Sequence, residues 1–222
     1  MAIHSDSTIA ILGGAGKAGR PLVQETLKAG YRVRLLLRHP EAFGLTHERL
    51  EILPGDARDP ELICKLLQGG AALLSTLGNP RGESAPPMLS TVTGHILTAL
   101  RELGIRRYVV VTSLYTTANE QSDEKTRQAA EYMQNTFPLF MADRQLEFDL
   151  LRESDLDWTC VRLPHIVQEP ATNRVKVHLD YLPGQQISAE DLAHFLVGQL
   201  ISREHIRQAP FVANELTMTS DQ

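Results

Sequence analysis

Three glycines follow a short apolar run near the start of the chain. The run 8–12 ends at Gly13, and Gly16 and Gly19 recur at intervals of three residues. Glycines at this spacing let the chain turn tightly, bring the backbone close to a pyrophosphate and leave room where a helix meets a sheet. Free amide groups at the start of the following helix, expected near Gly16, can bind an anion, and Lys17 adds a positive charge. The alternative is a tight strand-to-helix turn without a ligand.

A cation stands where the second predicted strand, residues 31–38, ends. NAD-binding sites of this type usually place a carboxylate here, which accepts a hydrogen bond from the ribose 2′-hydroxyl. This chain has Arg38 instead, followed by His39 and Pro40. A guanidinium presents a planar pair of donors to phosphate oxygens, so the sequence favours NADP(H) over NAD(H). The alternative is an exposed arginine at the end of a strand.

Two further strand ends carry residues suited to a ligand crevice. Carboxyl ends of parallel strands face such a crevice. Asp56, after the third strand, could accept a hydrogen bond from an adenine amino group, or could equally cap the turn or the next helix. Leu77 and Gly78 end the fourth strand and are predicted near the middle of the crevice.

The fifth and sixth strands end in the two candidate catalytic residues. Ser113 could hydrogen-bond the nicotinamide amide or the acceptor. His165 could orient the acceptor or relay a proton, since an unperturbed imidazole titrates near neutrality. The alternatives are an ordinary strand-end hydroxyl and a loop histidine.

Strand-like and helix-like segments alternate along the whole chain. This order predicts one α/β domain, residues 1–222, with a doubly wound parallel sheet of the Rossmann type. Residues 156–222 are expected to add the last strands, a helix and a small substrate-side appendage. The polar segment 116–135 is predicted to be a solvated helix or a mobile lid. We further expect a solvated Arg106-Arg107 pair and a helix over 139–154 that buries Phe140, Leu146 and Leu150.

Composition and charge exclude several classes of protein. The net charge of −5 comes without a dense basic run, which argues against a nucleic-acid partner. No stretch is long enough to span a bilayer, and the start lacks a secretory signal, so a cytoplasmic location is expected. Cys64 and Cys160 lack metal-ligand spacing, so we expect reduced cysteines and no metal. Monomer and homo-oligomer are both compatible with the sequence.

Seven motifs together resemble one family, the NmrA-like or NAD(P)H-binding group of atypical short-chain dehydrogenases and reductases. Within that group the chain looks most like the flavin reductase, or biliverdin reductase B, type. The likeness runs in order from about Thr8 to Ala213. Its motifs are GGAGKAG, LLLRHPE, PGDARD, STLGNP, VVVTSL, LLRESDLDWTCVRLPHI and QISAEDLAHF.

The resemblance assigns each part of an NADP(H) molecule to residues of this chain. It implies a pyrophosphate held by Gly13, Gly16, Lys17, Ala18 and Gly19, and a 2′-phosphate held by Arg38. It also implies an adenine edge at Asp56 and Ala57, a central crevice at Leu77 and Gly78, and a nicotinamide side formed by Thr112, Ser113, Pro164, His165 and Ile166. The chain departs from its closest relatives in lacking a second arginine after strand two and in having Gly14-Ala15 for the usual Ala-Thr.

A proton-donor pair typical of related enzymes is absent. Short-chain dehydrogenases that reduce ketones mostly use Tyr-x-x-x-Lys, because hydride addition builds an alkoxide that needs a proton. The five tyrosines here are followed four residues later by Leu35, Thr112, Asn119, Thr136 and Gln185. A flavin, quinone or linear tetrapyrrole spreads the added charge and can take its proton from water.

The sequence therefore supports two functions. The first is an NADPH-dependent reductase of a conjugated acceptor such as a flavin, quinone or tetrapyrrole. The second is a non-catalytic NADP(H) sensor that binds a regulatory partner, as some NmrA-like proteins are thought to do. A sugar-nucleotide epimerase is disfavoured, because the chain after Pro164 is short and the tyrosine is missing.

Overall fold

The structure is a computed structural model that describes residues 3–78, 88–113 and 123–215. The strands, in chain order, are β1 Thr8–Leu12, β2 Arg32–Leu37, β3 Leu50–Pro54, β4 Ala72–Ser75, β5 Arg107–Ser113, β6 Asp157–Leu163, β7 His165–Val167, β8 Val175–His178, β9 Gln186–Ser188 and β10 Phe211–Asn214. The helices are α1 Gly19–Lys28, α2 Pro60–Leu67, α3 Leu89–Glu102, α4 Glu124–Thr136, α5 Pro138–Glu153 and α6 Ala189–Gly198.

Eight of the strands form one mostly parallel sheet in the order β3-β2-β1-β4-β5-β6-β10-β8. The strand order reverses between β1 and β4, which is the point where a ligand crevice forms in a doubly wound sheet. The predicted fold class is confirmed. The edge strand β8 runs antiparallel to β10, and the short strands β7 and β9 pair in a separate small sheet that the sequence did not predict.

Alternate residues of the central strands pack against opposite layers of helices. Ile9 and Ile11 of β1 face the side covered by α1 and α6, whereas Ala10 and Leu12 face α2, α3 and α5. These four side chains are essentially buried. A strand buried on both faces needs a continuous apolar run, and this explains why β1 is so easily predicted. No helix in the described ranges has the length and apolar character to cross a bilayer.

The first of two arginines at the start of β5 is solvated as predicted, but the second is not. Arg106 is exposed, whereas Arg107 is buried between β4 and β6. Its guanidinium donates to the carbonyl oxygens of Asp157 at 2.5 Å and Gln199 at 2.8 Å. Burial lowers the pKa of Arg107 to about 10. Arg106 lies just before β5 whereas Arg107 is its first residue, so the adjacent arginines have different surroundings.

Helix α5 buries a different face from the predicted one. Leu146 is 52% exposed, and Phe140 and Leu150 are half-buried. The covered face carries Met141, Phe148 and Leu151 together with the charged residues Asp143, Arg144 and Glu147. Apolar periodicity can indicate the first three but not the charged residues, because charged residues are buried only when partners elsewhere in the chain satisfy them.

Asp143 caps a neighbouring helix from across the fold. Its carboxylate accepts hydrogen bonds from the N–H groups of Met88, Leu89 and Ser90 at 2.8–3.0 Å, the free amides at the start of α3. Burial alone would raise the pKa of Asp143, but the hydrogen bonds from Ser90, Leu89 and Met88 outweigh it and hold the pKa below its usual value. The contact fixes α5 against α3.

Replacing this carboxylate should weaken the fold in a pH-dependent way. We expect Asp143→Asn to lower the free energy of unfolding by about 1–3 kcal/mol at neutral pH, because a charged acceptor of three N–H groups is lost. The folded pKa lies below the unfolded one, so this stability is present above the unfolded pKa and is lost as the pH falls through the folded pKa. The difference between the two proteins in urea titrations should therefore begin to shrink as the pH falls below about 4 and should vanish below the folded pKa.

Asp149→Asn, a half-exposed position on the same helix, serves as the control and should change stability little at any pH. Equal stability of Asp143→Asn and the parent chain at pH 7 would contradict the capping role.

The turn between β1 and α1 is built from backbone contacts. Gly13 has a φ of 78°, and a Cβ there would lie 2.6 Å from the carbonyl carbon of Thr76. A Cβ on Gly19 would lie 2.0 Å from the oxygen of Gly13. Helix α1 begins at Gly19, three residues later than predicted, because the chain first completes the turn that links Gly16 N to Gly13 O at 3.0 Å.

A methyl group at Gly19 should therefore destabilise the chain. We expect Gly19→Ala to lower the free energy of unfolding by about 1–3 kcal/mol, since two backbone segments must move apart. Gly94 lies inside α3 with open space around it, so Gly94→Ala is the matched control and should stabilise by about 0.5–1 kcal/mol. Chemical denaturation measures both, and a Gly19→Ala chain as stable as the parent would refute the close approach.

Candidate functional site

A crevice of about 1140 Å³ lies at the carboxyl end of the parallel strands. Its walls come from the residues at or just after the ends of β1 to β6, on both sides of the point where the strand order reverses. Most of the residues that the sequence singled out line it: Gly13, Gly16, Lys17, Ala18, Arg38, Asp56, Ala57, Leu77, Gly78, Thr112, Pro164, His165 and Ile166. One surface thus combines contributions from six separate strand ends.

Two of the predicted site residues are absent from the described lining of the crevice. Gly19 does not line the crevice but lies behind the turn, where its missing side chain lets α1 approach Gly13. Ser113 is the last residue of β5, but its side chain is outside the described part of the structure. The contact of Ser113 with a ligand stays a prediction.

The glycine turn presents free donors to the crevice. Within the described chain, the N–H groups of Lys17 and Ala18 make no hydrogen bond. The turn is exposed at Lys17, and Arg20 follows one helical turn later with its guanidinium 4.7 Å from the centre of the Phe43 ring. Free amides beside two cations form a surface that favours an anion.

Arg38 and Asp56 lie at the other side of the turn. The side chain of Arg38 has no partner among the described residues, whereas that of Asp56 is hydrogen-bonded. The Arg38 guanidinium is exposed and has no hydrogen-bond or ion-pair partner among the described residues. The Asp56 carboxylate accepts from the backbone and side chain of Arg58 at 2.8–3.1 Å. The side chain of Arg58, with a smaller contribution from Arg38, lowers the pKa of Asp56.

Of the two roles that the sequence left open for Asp56, the turn is therefore the one seen in the structure. The carboxylate closes a turn on Arg58 N at 2.9 Å. A contact of Asp56 with adenine stays a prediction.

The opposite end of the crevice is largely apolar. Met88, at the start of α3, Met133 of α4 and Phe140 of α5 line it together with Leu163 and Ile166. The sequence analysis missed the first three as site residues, because they belong to helices rather than to strand ends. The predicted solvated helix is present as α4, and Met133 brings it to the crevice; residues 116–122 of the expected lid lie outside the described residues.

Arg144 is a further wall residue that the sequence analysis missed. It is 4% exposed, and it donates to the carbonyl oxygens of Leu77 at 2.8 Å and Val111 at 3.3 Å. Its Nη1 also lies 2.6 Å from an oxygen of Glu147, which is buried too. Arg144 thus joins the ends of β4 and β5. The available signal was its spacing from Phe140, four residues along one helix, which places both on one face.

No tyrosine of the described residues lines the crevice. Phe140 and Arg144 have the spacing of a Tyr-x-x-x-Lys pair, but an aromatic ring without a hydroxyl cannot donate a proton. Tyr108 is fully buried in the core, where burial and then the charge of Glu147 raise its pKa far above the ordinary range. His39 and His165 are the histidines among the described wall residues, and both are exposed.

The appendage reaches back to the glycine turn. Gln168 Nε2 donates to the carbonyl oxygen of Lys17 at 2.9 Å. The segment beyond it is fixed by Asp191, whose carboxylate accepts from Thr172 and Asn173 N–H groups and from Asn214 at 2.7–2.9 Å. Burial alone would raise the pKa of Asp191, but these hydrogen bonds lower it. The wall formed by residues 164–168 is thereby held beside the crevice.

Solved structures with the same architecture include one in complex with NADP. The oxidoreductase YlbE from Lactococcus lactis superposes with a TM-score of 0.75 at 14% identity, over 95% of this chain and 92% of that one. A wide-type short-chain dehydrogenase/reductase from Veillonella parvula, solved in complex with NADP, gives a TM-score of 0.76 at 18% identity over 94% of each chain. At these identities the likeness establishes the fold.

Sequence comparison extends this to a family. The photosystem II assembly factor Ycf39 of Trieres chinensis is 39% identical over 70 residues, which are 31% of this chain and 22% of that protein. The NAD(P)H-binding family model matches residues 13–203, from the first glycine of the turn to beyond α6. With a crevice of the expected form at the carboxyl edge of a doubly wound sheet, the chain belongs to the NAD(P)H-binding family.

Proposed function

We propose that the chain is an NADPH-dependent reductase that transfers a hydride to a conjugated acceptor such as a flavin, quinone or linear tetrapyrrole. The observation that carries this proposal is the composition of one end of the crevice. Met88, Met133 and Phe140 provide apolar and polarisable surface for a flat ring system, and no described tyrosine is present to protonate an alkoxide.

The other end of the crevice supports NADP(H) as the cofactor. The amides of Lys17 and Ala18 would hold the diphosphate, because free N–H groups at a helix start bind anions. Arg38 has no competing partner among the described residues and would take the 2′-phosphate, where a carboxylate would repel it. When bound, NADPH supplies the hydride.

The chain's own part in the reaction is mainly to bind and orient. Thr112, Pro164 and Ile166 line the wall nearest the apolar end. They would hold the nicotinamide ring and the acceptor ring face to face. His165 is exposed and would orient the acceptor or pass a proton from water, and Ser113 would hydrogen-bond the nicotinamide amide or the acceptor. A conjugated acceptor spreads the added charge, so water can deliver its proton.

Turnover with a panel of acceptors tests the reaction. We expect purified protein with NADPH to oxidise the cofactor when FMN, riboflavin, a quinone or biliverdin is added, and to be inactive with a simple ketone, since no described tyrosine lines the crevice to protonate an alkoxide. Loss of nicotinamide absorbance measures this. His165→Gln should lower the rate at saturating NADPH. Absence of turnover with every conjugated acceptor would reject the reductase.

Cofactor choice is tested separately at Arg38. We expect Arg38→Gln to raise the Kd for NADPH at least about tenfold, because a charge-assisted pair of hydrogen bonds is lost, and to leave the Kd for NADH unchanged. Arg32→Gln, at the opposite end of the same strand, is the matched control and should alter neither constant. Calorimetric titration measures all of them; equal weakening of both cofactors by Arg38→Gln would contradict the assignment.

The second candidate is a non-catalytic NADP(H) sensor, which would also lack a proton-donor tyrosine. It is favoured if the protein binds oxidised and reduced cofactor with similar affinity and shows no turnover, and if a pull-down captures a partner whose binding weakens with salt.

A further inference from the structure

Arg144 differs from the other cations that line the crevice. Lys17, Arg20 and Arg38 are exposed, whereas Arg144 is the one charged wall residue of the described chain that is buried. Water screens an exposed charge strongly and a buried one weakly. Its field therefore reaches a bound ligand with less loss than the fields of the phosphate-binding residues.

The partner of Arg144 lies away from the crevice. Glu147 does not line the crevice; one of its carboxylate oxygens pairs with Arg144 at 2.6 Å and the other accepts from Thr93 of α3 at 3.3 Å. Burial raises the pKa of Tyr108 and of Cys160, and the negative charge of Glu147 raises both further, while the positive charge of Arg144 lowers the pKa of Cys160. The pair forms a dipole whose positive end belongs to the crevice wall.

The position of this positive end has a chemical consequence. Arg144 binds the carbonyl oxygens at Leu77 and Val111, next to Gly78 and Thr112, which belong to the middle and the nicotinamide side of the site in the proposed function. A nicotinamide ring carries a positive charge when oxidised and none when reduced, while the phosphates are the same in both forms. A buried positive end therefore repels only the oxidised ring.

We propose that the buried Arg144–Glu147 pair makes the crevice select the reduced cofactor over the oxidised one. Arg144 is a specificity-determining residue for the redox state of the ligand, in addition to its structural contacts with β4 and β5. This selection favours release of the oxidised product after each hydride transfer. The inference rests on the proposed function, because it requires NADP(H) in this crevice.

The test is the ratio of two dissociation constants, Kd for NADP⁺ over Kd for NADPH, measured by calorimetry at pH 8. We expect a ratio of at least about three for the parent chain. Glu147→Gln leaves the guanidinium uncompensated and should raise the ratio. Arg144→Met removes the positive end and should bring the ratio to one or below. Arg144→Lys keeps the charge and should keep the preference for NADPH.

A purely structural role predicts a different pattern. It would weaken both cofactor forms alike in Glu147→Gln and Arg144→Met, without moving the ratio in opposite directions. Arg152→Gln, an exposed arginine on the same helix, is the matched control and should leave the ratio as in the parent chain. Thermal unfolding checks that each variant is folded.

Single substitutions in a buried ion pair can prevent folding, because they leave one charge without its partner. The double variant Arg144→Met/Glu147→Leu replaces the pair by apolar side chains of similar size and should bind both forms with a ratio near one. A parent ratio near one, or a double variant that retains the parent preference, would overturn the inference while leaving cofactor binding and turnover intact. Binding of neither form to the parent chain would overturn both the inference and the proposed function.

Discussion

The site depends on a contact between backbone segments at the end of the first strand. Gly13 lies so close to the backbone of Thr76 after β4, and Gly19 so close to Gly13, that neither position has room for a Cβ atom. Thr76 reinforces the contact, since its hydroxyl donates to the carbonyl oxygens of Leu12 and Gly13 at 3.2–3.3 Å. The amides of Lys17 and Ala18 that follow are without a hydrogen-bond partner among the described residues and belong to the crevice lining, so the same constraint shapes the fold and a surface that favours an anion.

Buried charges on α5 complete the other side of the site. Asp143 holds the start of α3, and Arg144 holds the ends of β4 and β5. Burying these groups is costly, and each is tolerated because hydrogen bonds or an opposite charge satisfy it. The helix can therefore lie against the carboxyl edge of the sheet and bring Phe140 to the crevice wall. A face built from leucines would pack as well but could not bind strand-end carbonyl groups.

The sequence predicted the parts of this arrangement that depend on local pattern. The apolar runs of β1 and β5 and the glycine spacing identified the sheet and the turn, and the positions of Arg38 and His165 after strands placed both on the crevice. The prediction that Leu146 of α5 is buried was wrong, and so was the prediction that Arg107 is solvated. Partners distant in the chain determine the burial of both residues. Met88 and Met133 were missed because their place on the crevice follows from helix packing, and Arg144 was missed although its spacing from Phe140 placed both on one face of α5. Strands β7 and β9, with three residues each, are too short to carry a periodic pattern.

The proposed NADP(H) site needs both ends of one crevice, the glycine turn with Arg38 and the apolar wall beside a buried guanidinium. The most direct measurement is a crystal structure of the chain grown with NADPH. We expect the diphosphate at the amides of Lys17 and Ala18, the 2′-phosphate beside Arg38, and the nicotinamide ring on the wall that contains Thr112 and Arg144. A cofactor bound with its diphosphate away from the glycine turn, or with its 2′-phosphate remote from Arg38, would contradict the account.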